Sequence, residues 1–100
     1  MRDLIFTPGA LDDSIAARLW YECKREGLGA EFENALEAAL GRVRSLPETG
    51  KPIYSPFRRV PLRRFPYEVF NEFDPQRVLV GLVFHTARDP ASALVRLLRH

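Results

Sequence analysis

The sequence predicts an α+β fold, in which an antiparallel helical hairpin packs on one face of a small antiparallel sheet. Apolar residues recur every three or four positions between residues 11 and 46, as they do along amphipathic helices. Between residues 57 and 85 they recur at about every second position, as they do along strands. The chain has 100 residues, enough for one hydrophobic core, and we expect a single domain over residues 1–100.

A short first strand is predicted at residues 4–6, because this apolar run is closed by a Thr-Pro-Gly turn. The first helix follows over residues 11–23, with Asp12 and Asp13 in its first turn, where they complement the helix dipole. One apolar face of this helix is expected to pack in the core: Leu11, Ile15, Ala16, Leu19, Trp20 and Cys23.

Two aromatic residues in this helix have two possible roles. We interpret Trp20 and Tyr21 as core anchors rather than as a binding hot spot for a partner, because large aromatic side chains mostly serve as core residues. By the same reasoning, Cys23 is interpreted as a small buried residue.

A second helix is predicted over residues 32–46, and Pro47 ends it. The glycine-rich turn at residues 27–29 joins the two helices, so they should lie antiparallel as a hairpin. The apolar face of the second helix comprises Phe32, Ala35, Leu36, Ala39, Leu40, Val43 and Leu46.

Three strands are predicted after a proline-rich loop at residues 47–56: residues 57–65, 67–73 and 78–85. The first should lie at an edge, because Pro61 cannot donate a hydrogen bond to a neighbouring strand. The last is apolar almost throughout, so we expect it at the centre, between the preceding strand and residues 4–6. The tail, residues 91–100, is compatible with a short C-terminal helix.

Composition excludes several classes of protein. The longest apolar run, residues 78–84, is much shorter than the roughly 20 residues that cross a bilayer, and the N-terminus lacks the features of a secretory signal. We therefore expect a cytoplasmic protein without membrane contact. Cys23 has no partner for a disulfide, and it forms no recognised zinc-binding spacing with His85 and His100. No metal site and no cofactor are expected.

The charge is distributed unevenly along the chain. Residues 1–50 carry six basic and nine acidic residues, a net charge of −3, whereas residues 51–100 carry nine and four, a net charge of +5. The segment 51–67 contains no acidic residue and five basic ones: Lys51, Arg58, Arg59, Arg63 and Arg64. We interpret it as a contiguous, uncompensated basic surface that binds nucleic acid or an acidic protein partner. The alternative is a solvated strand face whose charge prevents edge aggregation.

Several local strings, at these intervals, resemble one family: Trp20-Tyr21-Glu22, Gly27-Leu28-Gly29, Glu31-Phe32, Pro47-Glu48, Arg63-Arg64-Phe65-Pro66-Tyr67, Val83-Phe84-His85 and Arg88-Asp89-Pro90. Their succession is similar to that of the RelE/ParE superfamily of toxins from bacterial type II toxin–antitoxin modules. The resemblance spans nearly the whole chain. It implies a strand, a helical hairpin and an antiparallel sheet, and a cognate antitoxin whose flexible segment wraps the toxin in a hetero-oligomer.

The resemblance implies one of two activities, poisoning of DNA gyrase or cleavage of messenger RNA on the ribosome. In a ribonuclease, His85 would act as the base, Tyr67 as a proton donor or stacking platform, and Arg88 with the 58–64 arginines as the phosphate clamp. RNA-cleaving relatives typically carry a lysine-rich stretch and an arginine in the strand that here reads Tyr67-Glu68-Val69-Phe70. Glu68 brings negative charge there, no basic residue occurs in it, and the chain has only two lysines in all. We therefore favour ParE-like, non-enzymatic inhibition of gyrase. A third alternative is an inactive scaffold that retains antitoxin binding.

Overall fold

The computed structural model describes residues 2–99. Its elements are β1 (Asp3–Phe6), α1 (Pro8–Lys24), α2 (Leu28–Ser45), β2 (Lys51–Pro52), β3 (Arg58–Pro61), β4 (Tyr67–Phe73), β5 (Arg77–His85) and α3 (Pro90–Leu97), with a turn of 3₁₀ helix at Pro47–Thr49. The strands form one five-stranded sheet in the order β1-β5-β4-β3-β2. The predicted α+β fold, with its helical hairpin and its short C-terminal helix, is confirmed. His100, at the end of the predicted tail, lies outside the described residues.

The position of β5 confirms the reasoning from its apolar composition. It lies between β4, to which it is antiparallel, and β1, to which it is parallel, so the sheet is mixed rather than purely antiparallel. β1 reaches only as far as Val80, because Phe6 is its last residue. From Gly81 onward, one edge of β5 therefore has no neighbouring strand.

The strand predicted at residues 57–65 is shorter than its sequence pattern indicated. β3 ends at Pro61, and the Leu62 N–H donates to the Tyr67 carbonyl across a turn in which Arg64 adopts a left-handed backbone, φ 72°. A two-residue strand, β2, pairs with β3 inside the segment expected to be a loop. β3 is therefore next to the edge of the sheet rather than at it.

α1 begins earlier than predicted. Thr7 caps it, since its Oγ1 accepts from the Ala10 N–H at 3.1 Å and donates to the Gly81 carbonyl at 3.2 Å. Asp12 and Asp13 therefore lie beyond the first turn, and their predicted role in complementing the helix dipole there is wrong.

The hairpin between α1 and α2 depends on one carboxylate. Glu22 accepts from the N–H groups of Gly27 and Gly29, both at 2.9 Å, and these hydrogen bonds lower the pKa of the Glu22 carboxyl below its ordinary value. Gly27 has a left-handed backbone, φ 87°, and a Cβ on Gly29 would lie 2.8 Å from the Arg18 carbonyl oxygen. The glycines therefore permit a close approach that residues with side chains would not.

Both faces of the sheet are covered. The hairpin packs on one face, where α2 contributes the apolar residues predicted for it, although Leu46 at its end is exposed. α3 covers part of the other face, with Ala93 and Leu97 against Phe70, Leu82 and Phe84. No helix among residues 2–99 is long and apolar enough to cross a bilayer.

One carboxylate joins α1, β5 and α3. Asp13 Oδ2 accepts from the Val83 N–H at 3.1 Å and from Arg96 Nη2 at 3.0 Å. Val83 lies on the part of β5 that β1 does not reach, so Asp13 satisfies a backbone group that would otherwise lack a strand partner. This contact places α1 beside the end of β5.

Asn71 on β4 is fully buried, and both polar atoms of its side chain lack a hydrogen-bond partner among the described residues. An unsatisfied buried amide is unfavourable, so Asn71→Leu, which is similar in size, is expected to raise the free energy of unfolding by about 1–2 kcal/mol. Urea denaturation measures the change. Asn71→Asp is the opposing variant and should destabilise, because it places a charge in the core. A lower free energy of unfolding for Asn71→Leu would contradict this account.

Candidate functional site

A cleft of about 570 Å³ opens between α1 and the ends of β4 and β5. Three residues predicted from the sequence, Tyr67, His85 and Arg88, line it, together with Asp13 and Trp20 from α1. The strand register explains the first pair: Tyr67 lies directly opposite His85, and their ring centroids are 5.0 Å apart. Arg88 follows in the turn after β5, with its guanidinium 5.0 Å from the Phe84 ring centroid.

The hydrogen bonding of His85 bears on its predicted role as a base. The Ala87 N–H donates to His85 Nδ1 at 3.0 Å, so the lone pair of that nitrogen is already used. In the neutral imidazole the proton then lies on Nε2, so that this nitrogen is a hydrogen-bond donor. A base needs a free lone pair, and this arrangement does not provide one.

The phenol groups of Tyr67 and Tyr21, which both line the cleft, are also hydrogen-bond donors. Burial raises the pKa of both hydroxyls, and the neighbouring Tyr21 raises that of Tyr67 further. Both hydroxyls therefore keep their protons at neutral pH. Neither hydroxyl makes a hydrogen bond within the described part of the chain. The predicted residues thus meet in one cleft, where their arrangement suits recognition of an acceptor better than proton abstraction.

The four predicted binding arginines do not form the uncompensated surface expected from the sequence. Arg59 pairs with Glu68 at 3.6 Å, and Arg64 pairs with Glu31 at 2.8 Å. The expectation that these two cations lack counter-charges is wrong. The carboxylates come from α2 and β4, outside the segment 51–67, so the composition of that segment did not reveal them.

The other two arginines are placed differently. Arg58 is half-buried, donates through Nη1 to the Gly50 carbonyl at 2.8 Å, and lies with its guanidinium 5.9 Å from the Phe73 ring centroid. Arg63 is exposed and makes no hydrogen bond or ion pair among residues 2–99. The role of these residues in binding stays a prediction, but they are not a single free platform.

The apolar stripe of α1, defined here as Leu11, Ile15, Leu19 and Trp20, faces outward. These side chains are 45–55% exposed, and Cys23 is exposed beside them. The expectation that they pack in the core is wrong, whereas the assignment of Tyr21 to the core is correct. α1 instead buries its small residues Ala10 and Ala17 together with Tyr21, which allows the helix to approach α2 and β5 closely.

A groove of about 370 Å³ runs beside Leu11 and Ile15 of this stripe, between α1, α2 and β1. Its apolar lining comprises Leu4, Phe6, Leu11, Ile15, Phe32, Leu36 and Leu40. The ion pair between Arg18 and Glu33, at 3.7 Å, lies at its rim, with Glu37 beside it. Sequence periodicity identified the stripe but predicted that it faces the core rather than the solvent. The sequence signal for the correct orientation of α1 is a second set of residues at helical spacing, Ala10, Ala17 and Tyr21, which are the buried ones.

The family described as ParE toxin of type II toxin–antitoxin system, parDE, matches residues 4–90 of the chain. No curated protein matches it. Among solved structures, the chain is similar to one titled "Chromosomal ParDE TA system from P. aeruginosa", with a TM-score of 0.71 and 17% sequence identity. The match covers 85% of this chain and 96% of that chain, and at this identity it shows the fold alone.

Trp20 and Tyr21 are adjacent, yet their burial predicts opposite sensitivities to substitution. Tyr21→Ala should lower the free energy of unfolding by about 3–5 kcal/mol, because it removes a core aromatic that contacts Phe32 and Phe65. Trp20→Ala should lower it by less than about 1 kcal/mol, because the side chain is 55% exposed. Chemical denaturation of both variants measures the difference, and equal losses would contradict the placement of α1.

Proposed function

The chain belongs to the ParE toxin family of type II toxin–antitoxin systems, and we propose that it inhibits bacterial growth by binding and poisoning DNA gyrase until a cognate antitoxin covers it. The observation that carries the proposal is the outward apolar stripe of α1. Four large apolar side chains on the outward side of α1 are 45–55% exposed in a 100-residue protein. An exposed contiguous apolar surface of this kind is typical of a protein–protein interface.

The shape of this surface favours a helical segment of the antitoxin as the partner. The groove along the stripe has an apolar floor and a charged rim, which matches an amphipathic helix lying in a groove. Both signs of charge are present at the rim, in Arg18 and Glu33, so a complementary segment can fix its register by charge. The partner would complete the burial of α1 and form a toxin–antitoxin hetero-oligomer.

The cleft supports inhibition by binding over catalysis. Its imidazole has no free lone pair for a base, and its phenols remain protonated. Two arginines of the predicted phosphate clamp are paired with carboxylates of the same chain. Ribosome-dependent RNA cleavage is kept as the second candidate for one reason, namely that Tyr67, His85 and Arg88 do converge on one cleft.

The target is tested by incubating the purified protein with DNA gyrase, ATP and supercoiled plasmid. Linear, cleaved DNA is expected to accumulate when the protein is present, because a gyrase poison traps the enzyme while the DNA is broken. A parallel incubation with translating ribosomes and messenger RNA should give no cleavage products.

Two outcomes would contradict the gyrase proposal. Cleavage of ribosome-bound message by the protein, lost in His85→Ala, would establish the ribonuclease instead. Unimpaired growth of bacteria that express the chain alone would indicate an inactive scaffold that retains antitoxin binding.

Antitoxin binding is tested at the centre of the stripe. The candidate antitoxin for this test is the protein encoded by the adjacent reading frame. Ile15→Asp places a charge in the apolar groove and should weaken the complex with that protein by more than about tenfold. Asn34→Asp is the matched control, since it adds the same charge at an exposed position of α2 outside the groove. Isothermal titration calorimetry measures both affinities, and circular dichroism verifies folding. Equal affinities for the two variants would rule out this surface as the antitoxin site.

A further inference from the structure

We infer that the cleft beside α1 receives a carboxylate side chain of the antitoxin, which Arg88 and the Nε2–H of His85 hold. The inference rests on the antitoxin partner proposed above and deepens it, because it assigns a second contact of different chemistry to the same partner. The stripe and its groove take apolar side chains, whereas the cleft takes a negatively charged one.

The cleft has a surplus of hydrogen-bond donors and positive charge. Arg88 makes no ion pair within residues 2–99, and its guanidinium lies 5.0 Å from the centroid of the Phe84 ring. His85 presents a donor for the reason given above, and the hydroxyls of Tyr67 and Tyr21 have no described acceptor. Four donors of this kind beside one cavity are complementary to an anion.

The one carboxylate in the cleft wall does not satisfy these donors. Asp13 Oδ2 already accepts from the Val83 N–H and from Arg96, and the ion pair with Arg96 compensates its charge. Arg88 therefore remains as the uncompensated cation of the cleft. A carboxylate brought by a partner can form two parallel hydrogen bonds with its guanidinium.

The cleft lies beside the surface proposed for the antitoxin. Trp20 lines the cleft and Ile15 lines the groove, on two sides of the exposed face of α1. A segment that lies in the groove and crosses the exposed face of α1 reaches the cleft. The remaining walls include Ala16, Ala17 and Val83, which suit the aliphatic part of an acidic side chain.

A protein carboxylate fits the cleft better than a nucleic-acid strand. Recognition of a single strand requires a track of cations along successive phosphates, with bases stacked beside it. This cleft holds one uncompensated arginine, and Asp13 stands on its wall. Arg59 and Arg64, which could extend such a track, are paired elsewhere and do not line the cleft.

The test is a double-mutant cycle with the protein encoded by the adjacent reading frame. Arg88→Gln should weaken the complex by about tenfold or more, because it removes one partner of a hydrogen-bonded charge pair. Arg88→Lys, which keeps the charge but loses the planar fork, should recover part of the affinity. The matched control Arg99→Gln removes the same charge at an exposed position outside the cleft and should change affinity by less than about twofold.

The cycle is completed by changing each Asp and Glu of the antitoxin in turn to Asn or Gln. One of these changes should weaken binding to the wild type as much as Arg88→Gln does, and should have almost no further effect in combination with it. Such coupling would identify the carboxylate that enters the cleft. All toxin variants are first compared with the wild type by circular dichroism, so that loss of fold is not counted as loss of binding.

Comparison of Ile15→Asp with Arg88→Gln distinguishes a failure of the carboxylate contact from a failure of the antitoxin proposal. If Ile15→Asp abolishes the complex while Arg88→Gln binds as the wild type does, the antitoxin proposal stands and the carboxylate contact is wrong. If the wild type binds no adjacent gene product, both are overturned. Trp20 is the only tryptophan in the chain and reports on the cleft. Saturable quenching of its fluorescence by single-stranded RNA, lost in Arg88→Gln, would assign the cleft to nucleic acid instead.

Discussion

The contact of Asp13 with Val83 and Arg96 determines how the helices are placed on the sheet. β5 continues beyond β1, and its free edge needs acceptors for backbone N–H groups that no strand provides. Asp13 supplies one such acceptor from α1, and Thr7 contacts the same edge at Gly81. Because the same carboxylate binds Arg96, α3 is held against α1 while it covers the far face of the sheet.

This contact also fixes which face of α1 is buried. Asp13, Ala17 and Tyr21 follow one another at four-residue intervals and therefore lie on the same side of the helix. Rotating α1 to bury Leu11 and Ile15 would withdraw Asp13 from Arg96 and from the Val83 N–H. Exposure of the apolar stripe is therefore a consequence of how α1 is attached.

The sequence pattern predicts the secondary structure of this chain well, but it does not predict contacts between residues that are distant in the chain. Periodicity located both helices and every strand except the two-residue β2, and continuous apolarity placed β5 inside the sheet with a neighbour on each side. These signals depend on neighbouring residues along the chain. The orientation of α1 depends on a contact between residues 70 positions apart, Asp13 and Val83. The neutralisation of Arg64 likewise depends on Glu31, 33 positions away. The local sequence pattern gives no information on the contact of Asp13 with Val83 or on that of Arg64 with Glu31.

In the candidate site, too, the sequence identified the residues but not the hydrogen bonds that determine their chemistry. Tyr67, His85 and Arg88 were identified from the sequence and do meet in one cleft, since strand pairing and a short turn bring them together. Their chemistry is decided by the Ala87 N–H, which occupies His85 Nδ1 and leaves a donor where a base was expected. A site made of donors suits the binding of an anion better than the transfer of a proton. That property suits a protein that acts by binding its target and is silenced when a partner covers its surface.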